Sequence, residues 1–225
     1  MAVGQAYHQL ARVFTQRCFH LFVAMLVLVI LGPLASATPE GWIAVDVVES
    51  FVLVAAVAAF GTSMLSVVIA LLLALPMIGF QVLANELDAR QYTMISTAFG
   101  AGFYATSVIY LLAYVFRREV MTADKLYGAA AAYLMIGVLW AYLYGLVEYF
   151  LPGAFVSAGG KPQLDAIDSI YFSFTVLTST GLGDIVPRAP IGQSLTVSEE
   201  IVGVLFVAIL VARLAGIYPP RGVRE

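Results

Sequence analysis

Six runs of roughly 20 apolar residues, near residues 18 to 37, 43 to 60, 63 to 84, 94 to 116, 126 to 149 and 191 to 216, leave this chain few ways to fold. A bilayer core about 30 Å thick takes about 20 residues of helix per crossing, and in lipid each segment must satisfy its own backbone. With 62% hydrophobic and 11% charged residues, the chain has too little polar surface to sit in water as a monomeric globule. The predicted fold is an all-α integral membrane protein with about six transmembrane helices. The second and third runs are parted only by Phe60-Gly61-Thr62-Ser63, and Pro76 kinks the third, which neighbouring helices accommodate.

Between the last two runs lies a segment that cannot cross. Residues 165 to 177 predict a helix of about 18 Å at 1.5 Å per residue, too short for the core. It must enter and stop, which is tolerated only where the backbone after it is shielded by protein or lines a wet cavity. Asp165 or Asp168 caps its outer end. Thr178-Ser179-Thr180-Gly181-Leu182-Gly183-Asp184 follows, and its Gly181 and Gly183 permit backbone angles that other residues resist, so that consecutive carbonyls can point one way. A monovalent cation loses on the order of 20 kcal/mol of solvation in a low-dielectric slab, and such carbonyls replace that shell. Hydroxyls of Ser179 or Thr180 can add a ring of ligands at the inner mouth. Phe99-Gly100-Ala101-Gly102 carries the same glycine spacing inside a full-length run with no Asp after it, and reads as helix packing.

These residues resemble the potassium channel superfamily, whose filter reads T-x-G-(Y/F/L)-G-D. On that pattern Ser179 stands at the usual threonine, Thr180 at the valine and Leu182 at the tyrosine, the last as in the second filter of two-pore-domain potassium channels. The resemblance runs from about residue 122 to 217, through Tyr171-Phe172-Ser173-Phe174 and Ile185-Val186-Pro187. Farther on, Glu200-Ile201-Val202-Gly203 and Ala208 to Leu214 are similar to the inner helix of small bacterial channels with a single pore loop. It implies potassium held at Ser179, Thr180, Gly181 and Leu182, with Gly183 completing the filter. Thr178 and Asp184 support the filter from behind. Glu200 is expected to pack against the rear of the short helix. Gly203 is either an inner-helix hinge or a packing site, and Phe206 either narrows the inner cavity or serves as core. One filter per chain implies a homotetramer.

The implied organisation is a four-helix membrane region at 1–120, a pore domain at 121–217 and a short tail at 218–225. Residues 94 to 116 carry no charge, so no voltage-sensor arginine series is present and steep voltage gating is not expected. With Pro219-Pro220 closing the last helix, no fused ligand module is expected either. Regulation then falls to the filter, to protons at Glu199 or Glu200, to lipid or tension, or to a separate partner.

Arg12, Arg17, Arg117, Arg118, Lys125, Arg213, Arg221 and Arg224 fall on one side against Arg90, Lys161 and Arg188 on the other, which places both termini in the cytoplasm of, by the resemblance, a bacterial inner membrane. The opposite face carries Glu40, Asp46, Glu49, Glu86, Asp88, Asp165, Asp168 and Asp184. They concentrate cations at the outer mouth or, away from Asp184, are ordinary loop charge. The stretch from Arg17 to Ala37 also resembles a cleavable signal peptide; it is read here as a retained helix. Trp42, Trp140, Tyr142, Tyr149 and Tyr218 read as interfacial anchors. A net charge of −3 suggests no nucleic-acid partner, and Cys18, His8 and His20 suggest neither disulfide nor metal site.

The expected activity is passive potassium conduction by a homotetramer in contact with lipid, with no cofactor. Ser179 and Thr180 motivate a second reading, a weakly selective monovalent cation channel. A third is a non-conducting interaction subunit with a relic pore loop, binding partners through residues 1–120. With no H-E-x-x-H, paired nucleophile or cofactor loop, an enzyme is not expected.

Overall fold

The computed structural model describes residues 16–35, 41–60, 64–87, 89–117, 122–160 and 163–217. Seven helices run through them: α1 (Arg17–Ala35), α2 (Gly41–Phe60), α3 (Met64–Leu87), α4 (Arg90–Val115), α5 (Ala123–Phe150), the short α6 (Ala166–Leu177) and α7 (Pro190–Ile217). Strands β1 (Phe155–Ser157) and β2 (Ile185–Pro187) pair antiparallel, with Val156 opposite Val186. This is an all-α membrane protein apart from that ribbon. By length and composition α1, α3, α4, α5 and α7 suffice to cross a membrane. The sixth expected crossing falls on α2, whose apolar stretch Val47–Ala59 is shorter.

The helix α5 is the hub, packed against α1, α4, α6 and α7, while α2 packs mainly on α1 and α3 mainly on α4. It begins at Thr122, whose hydroxyl accepts from the Lys125 amide at 3.3 Å, with Asp124 in the first turn complementing the helix dipole. Its core neighbours Leu21, Met25, Phe103 and Leu111 are fully buried. Close approach is set by glycine: a Cβ on Gly100 would lie 2.4 Å from the Tyr142 ring. Gly100 is thus a packing glycine, as its place inside a full-length run predicts.

Hydrogen bonds fix which ends share a side. The Cys18 amide donates to Asp124 at 3.0 Å, the Tyr114 hydroxyl to the same carboxylate at 2.7 Å, and the Arg213 guanidinium to the Arg117 carbonyl at 2.5 Å. At the other end the Arg90 guanidinium donates to the Tyr149 carbonyl at 3.2 Å and lies over the Tyr149 ring. Arg17, Arg117, Lys125 and Arg213 therefore lie at one end and Arg90 at the other, the separation read from charge.

Two expected anchors are instead interhelical ties. Trp140 donates from Nε1 to the Leu195 carbonyl of α7 at 3.3 Å, and the Tyr142 hydroxyl donates to Glu49 of α2. Both sit well inside α5, which runs on to Phe150. Glu49 is correspondingly no loop charge but a carboxylate within a helix. Trp42 and Tyr218 lie outside the described side chains.

Candidate pore loop and its supports

The short helix α6 starts as its acidic residues dictate. Asp165 is the cap, its carboxylate accepting from the Asp168 amide at 2.7 Å, and Asp168 answers with a long bond from the Asp165 amide at 3.5 Å, forming a capping box. Ser169, Phe172, Ser173, Val176 and Leu177 make its buried face. Against it, a Cβ on Gly137 of α5 would lie 2.7 Å from the Phe174 ring. Twelve residues make it about 18 Å long, short of the about 30 Å of a bilayer core.

Beyond α6 the backbone alternates. Ser179, Gly181 and Gly183 hold φ of 55°, 50° and 78°, with negative values between them. Glycine takes that region without penalty, whereas Ser179 costs about 1–3 kcal/mol and must be held there. The holding bonds come from the last turn of α6. The Ser179 amide donates to the Val176 carbonyl at 2.8 Å, and the Thr180 and Gly181 amides to the Thr175 carbonyl at 2.8 and 3.0 Å. In a planar trans peptide the carbonyl points opposite to the amide it is bonded to. The carbonyls of Thr178, Ser179 and Thr180 consequently point away from α6. Among the described residues, no backbone amide donates to carbonyls 178–183. Residues 178–184 are all exposed in the single chain.

Supports arrive from both sides. The Thr178 hydroxyl bonds the Phe174 carbonyl at 2.7 Å and lies 2.9 Å from the Thr180 hydroxyl. Asp184 accepts from the Ile185 amide at 3.1 Å and interacts with the Tyr171 hydroxyl of α6. Its carbonyl takes the Ala158 amide at 2.7 Å, so that the β1–β2 ribbon pins the outer end of the loop. Three-residue strands carry too little periodicity to be read from sequence, and that ribbon was not expected.

At the inner end, the Leu177 carbonyl accepts the Tyr133 hydroxyl of α5 at 3.1 Å. From α7, a Cβ on Gly203 would lie 2.2 Å from that same oxygen. Gly203 is therefore a contact point, the alternative to a hinge. Phe206, one turn on, is half-buried against the Tyr133 ring at 5.4 Å between centroids, which places it on the chain's own core.

Behind α6 the structure corrects one expectation. Glu199, not Glu200, occupies the rear pocket, fully buried. The Ser173 hydroxyl approaches both Glu199 at 2.5 Å and the Gly137 carbonyl at 2.6 Å, and the Tyr144 hydroxyl donates to the other Glu199 oxygen. Tyr144 is itself fixed by Phe155 and Phe172, with centroids 5.1 and 5.0 Å away. Glu200 is exposed. Helix phase explains the choice: Glu199 lies four residues before Gly203, so both share the face that meets α6, while Glu200 is turned about 100° away. The spacing to Gly203 was the sequence signal that selects Glu199.

The described residues thus carry a short helix, a loop of alternating handedness and a long helix packed behind it. Residues 129–218 match the family model described as ion channel. A stretch of 76 residues is 37% identical to the two pore potassium channel c of Oryza sativa subsp. japonica, covering 33% of this chain and 16% of that protein. The chain thus aligns with about a sixth of that relative. No solved structure matches it significantly.

Proposed function

We propose that this chain forms a potassium channel: a homotetramer conducting K+ passively along a central axis, with no cofactor. The observation that carries the reading is the row of carbonyls at Thr178, Ser179 and Thr180, directed away from α6 and exposed at the edge of the chain. One row cannot surround an ion; several about an axis can, replacing its hydration shell. Potassium is named in the rice relative that shares 76 aligned residues, and the loop follows the T-x-G-(Y/F/L)-G-D pattern but for Ser179 at the threonine. In this reading Ser179, Thr180, Gly181, Leu182 and Gly183 line the filter, with Thr178, Asp184 and Glu199 behind it. Both termini are cytoplasmic, in a bacterial inner membrane, and residues 1–120 surround the pore without sensing voltage.

A potassium flux assay in liposomes with barium block tests it. Wild type is expected to pass barium-sensitive K+ flux and Gly181→Ala, which forces a side chain onto φ 50°, to lose it. Wild-type liposomes without flux despite tetramer formation would support a non-conducting subunit instead. The hydroxyls of Ser179 and Thr180 favour one alternative, a weakly selective monovalent cation channel. Reversal potentials in mixed potassium and sodium separate the two, and equal permeability would refute the potassium reading.

A further inference from the structure

Between α2 and α3 the helix pairs part, leaving a cleft of ≈ 300 Å³ that is partly open to the outside. Leu53 and Met77 form a buried floor, and Val47 and Val82 an exposed rim. Two polar side chains interrupt these apolar walls, Glu49 and Gln81. Each is already oriented by another helix: Glu49 takes the Tyr142 hydroxyl of α5, and the Gln81 side-chain oxygen takes the Ser96 hydroxyl of α4 at 3.1 Å. Glu49 is the third residue of the apolar stretch Val47–Ala59 of α2. A carboxylate set in an apolar helix stretch, held by the Tyr142 hydroxyl and lining a cleft of this volume, is the kind of feature that takes a ligand.

We propose that this cleft binds a membrane-dissolved organic cation, an apolar body carrying one protonated amine, with the amine on the Glu49 carboxylate. The apolar floor accepts the body, and the exposed valine rim admits it from the lipid side. A carboxylate offers several acceptor positions and no donor, so it takes an ammonium beside the Tyr142 hydroxyl and repels an anion. The pairing would bear on α5 directly, since the Tyr142 ring stands against Gly100 of α4. The site lies away from the filter, and the inference does not depend on which ion passes there.

The test is equilibrium dialysis of the full chain in detergent against 1-adamantanamine, with 1-adamantanol as a neutral probe of the same shape. The expected result is saturable binding of one amine per chain. Affinity should fall at least about tenfold for the alcohol and for Glu49→Gln, a change of about 1.4 kcal/mol. Val82→Trp fills the rim without touching the carboxylate and should also abolish binding, which keeps the test decisive if Glu49→Gln fails to fold. Glu200→Gln should bind as wild type does. Non-saturable uptake, equal affinity for the alcohol, binding indifferent to both cleft variants, or one amine per assembled pore would each overturn the proposal.

Discussion

Helices α5 and α7 are both 28 residues long and both apolar, yet they are used in opposite ways. In α5, 44% of the membrane-length stretch is buried within the chain; in α7 the figure is 11%. The difference shows where the single chain is complete. Tyr133 of α5 bonds the end of α6, Tyr142 bonds α2, and Trp140 and Tyr144 both bond α7, so its contacts close internally. By contrast, α7 meets its own chain along one stripe, through Gly192, Glu199, Gly203 and Phe206, and leaves the rest open. On the open side stands Glu200, a carboxylate inside an apolar span. Such a group faces protein or water and not lipid. In the proposed homotetramer, the exposed loop and the exposed side of α7 are the surfaces that other copies of the chain cover.

If that contrast is right, the most damaging change lies where the two helices meet the loop. Gly203→Ala puts a methyl carbon 2.2 Å from the Leu177 backbone oxygen, which cannot move without shifting the loop. Ion flux should fall by more than about tenfold, a barrier of about 1.4 kcal/mol, while helix content by circular dichroism stays unchanged. Retained flux would show that α7 does not set the inner end of the loop.

The paired variants Glu199→Gln and Glu200→Gln sharpen the contrast next. An amide at 199 keeps one acceptor where two hydroxyls are held, and should destabilise the pore module by about 1–3 kcal/mol. The expected readout is a lower Tm with a reversal potential shifted toward sodium. Glu200→Gln should leave the Tm of dissociated chains unchanged, since Glu200 is exposed and bonds no other side chain among the described residues. The opposite ranking would restore the expectation from sequence resemblance.

Tyr133→Phe is the mildest. It removes only the hydroxyl on the Leu177 carbonyl at 3.1 Å and should cost about 1 kcal/mol by denaturant titration of the solubilised protein. A loss above about 3 kcal/mol would mean the tyrosine does more than this one bond.

Much of this arrangement is legible in the chain before any coordinates. The long apolar runs locate the helices to within a few residues. The acidic pair at Asp165 and Asp168 gives the start of α6, and Gly181 and Gly183 give the left-handed positions. What escapes is whatever depends on partners distant in sequence. Ser179 is left-handed because α6 carbonyls take the amides of residues 179–181, and nothing in a serine announces that. Trp140 and Tyr142 read as interface anchors because aromatic residues favour that depth, whereas their donors are spent on α7 and α2. Glu200 was favoured over Glu199 by resemblance, while the phase set at Gly203 selects the other.

The claim on which the account rests is that several chains close around one axis with their loops facing inward. Native mass measurement of the protein in detergent or lipid discs tests it most directly. Four copies per particle, dissociating when Gly203→Ala displaces α7, is the predicted result. A particle containing one chain, still competent for barium-sensitive potassium flux, would contradict it.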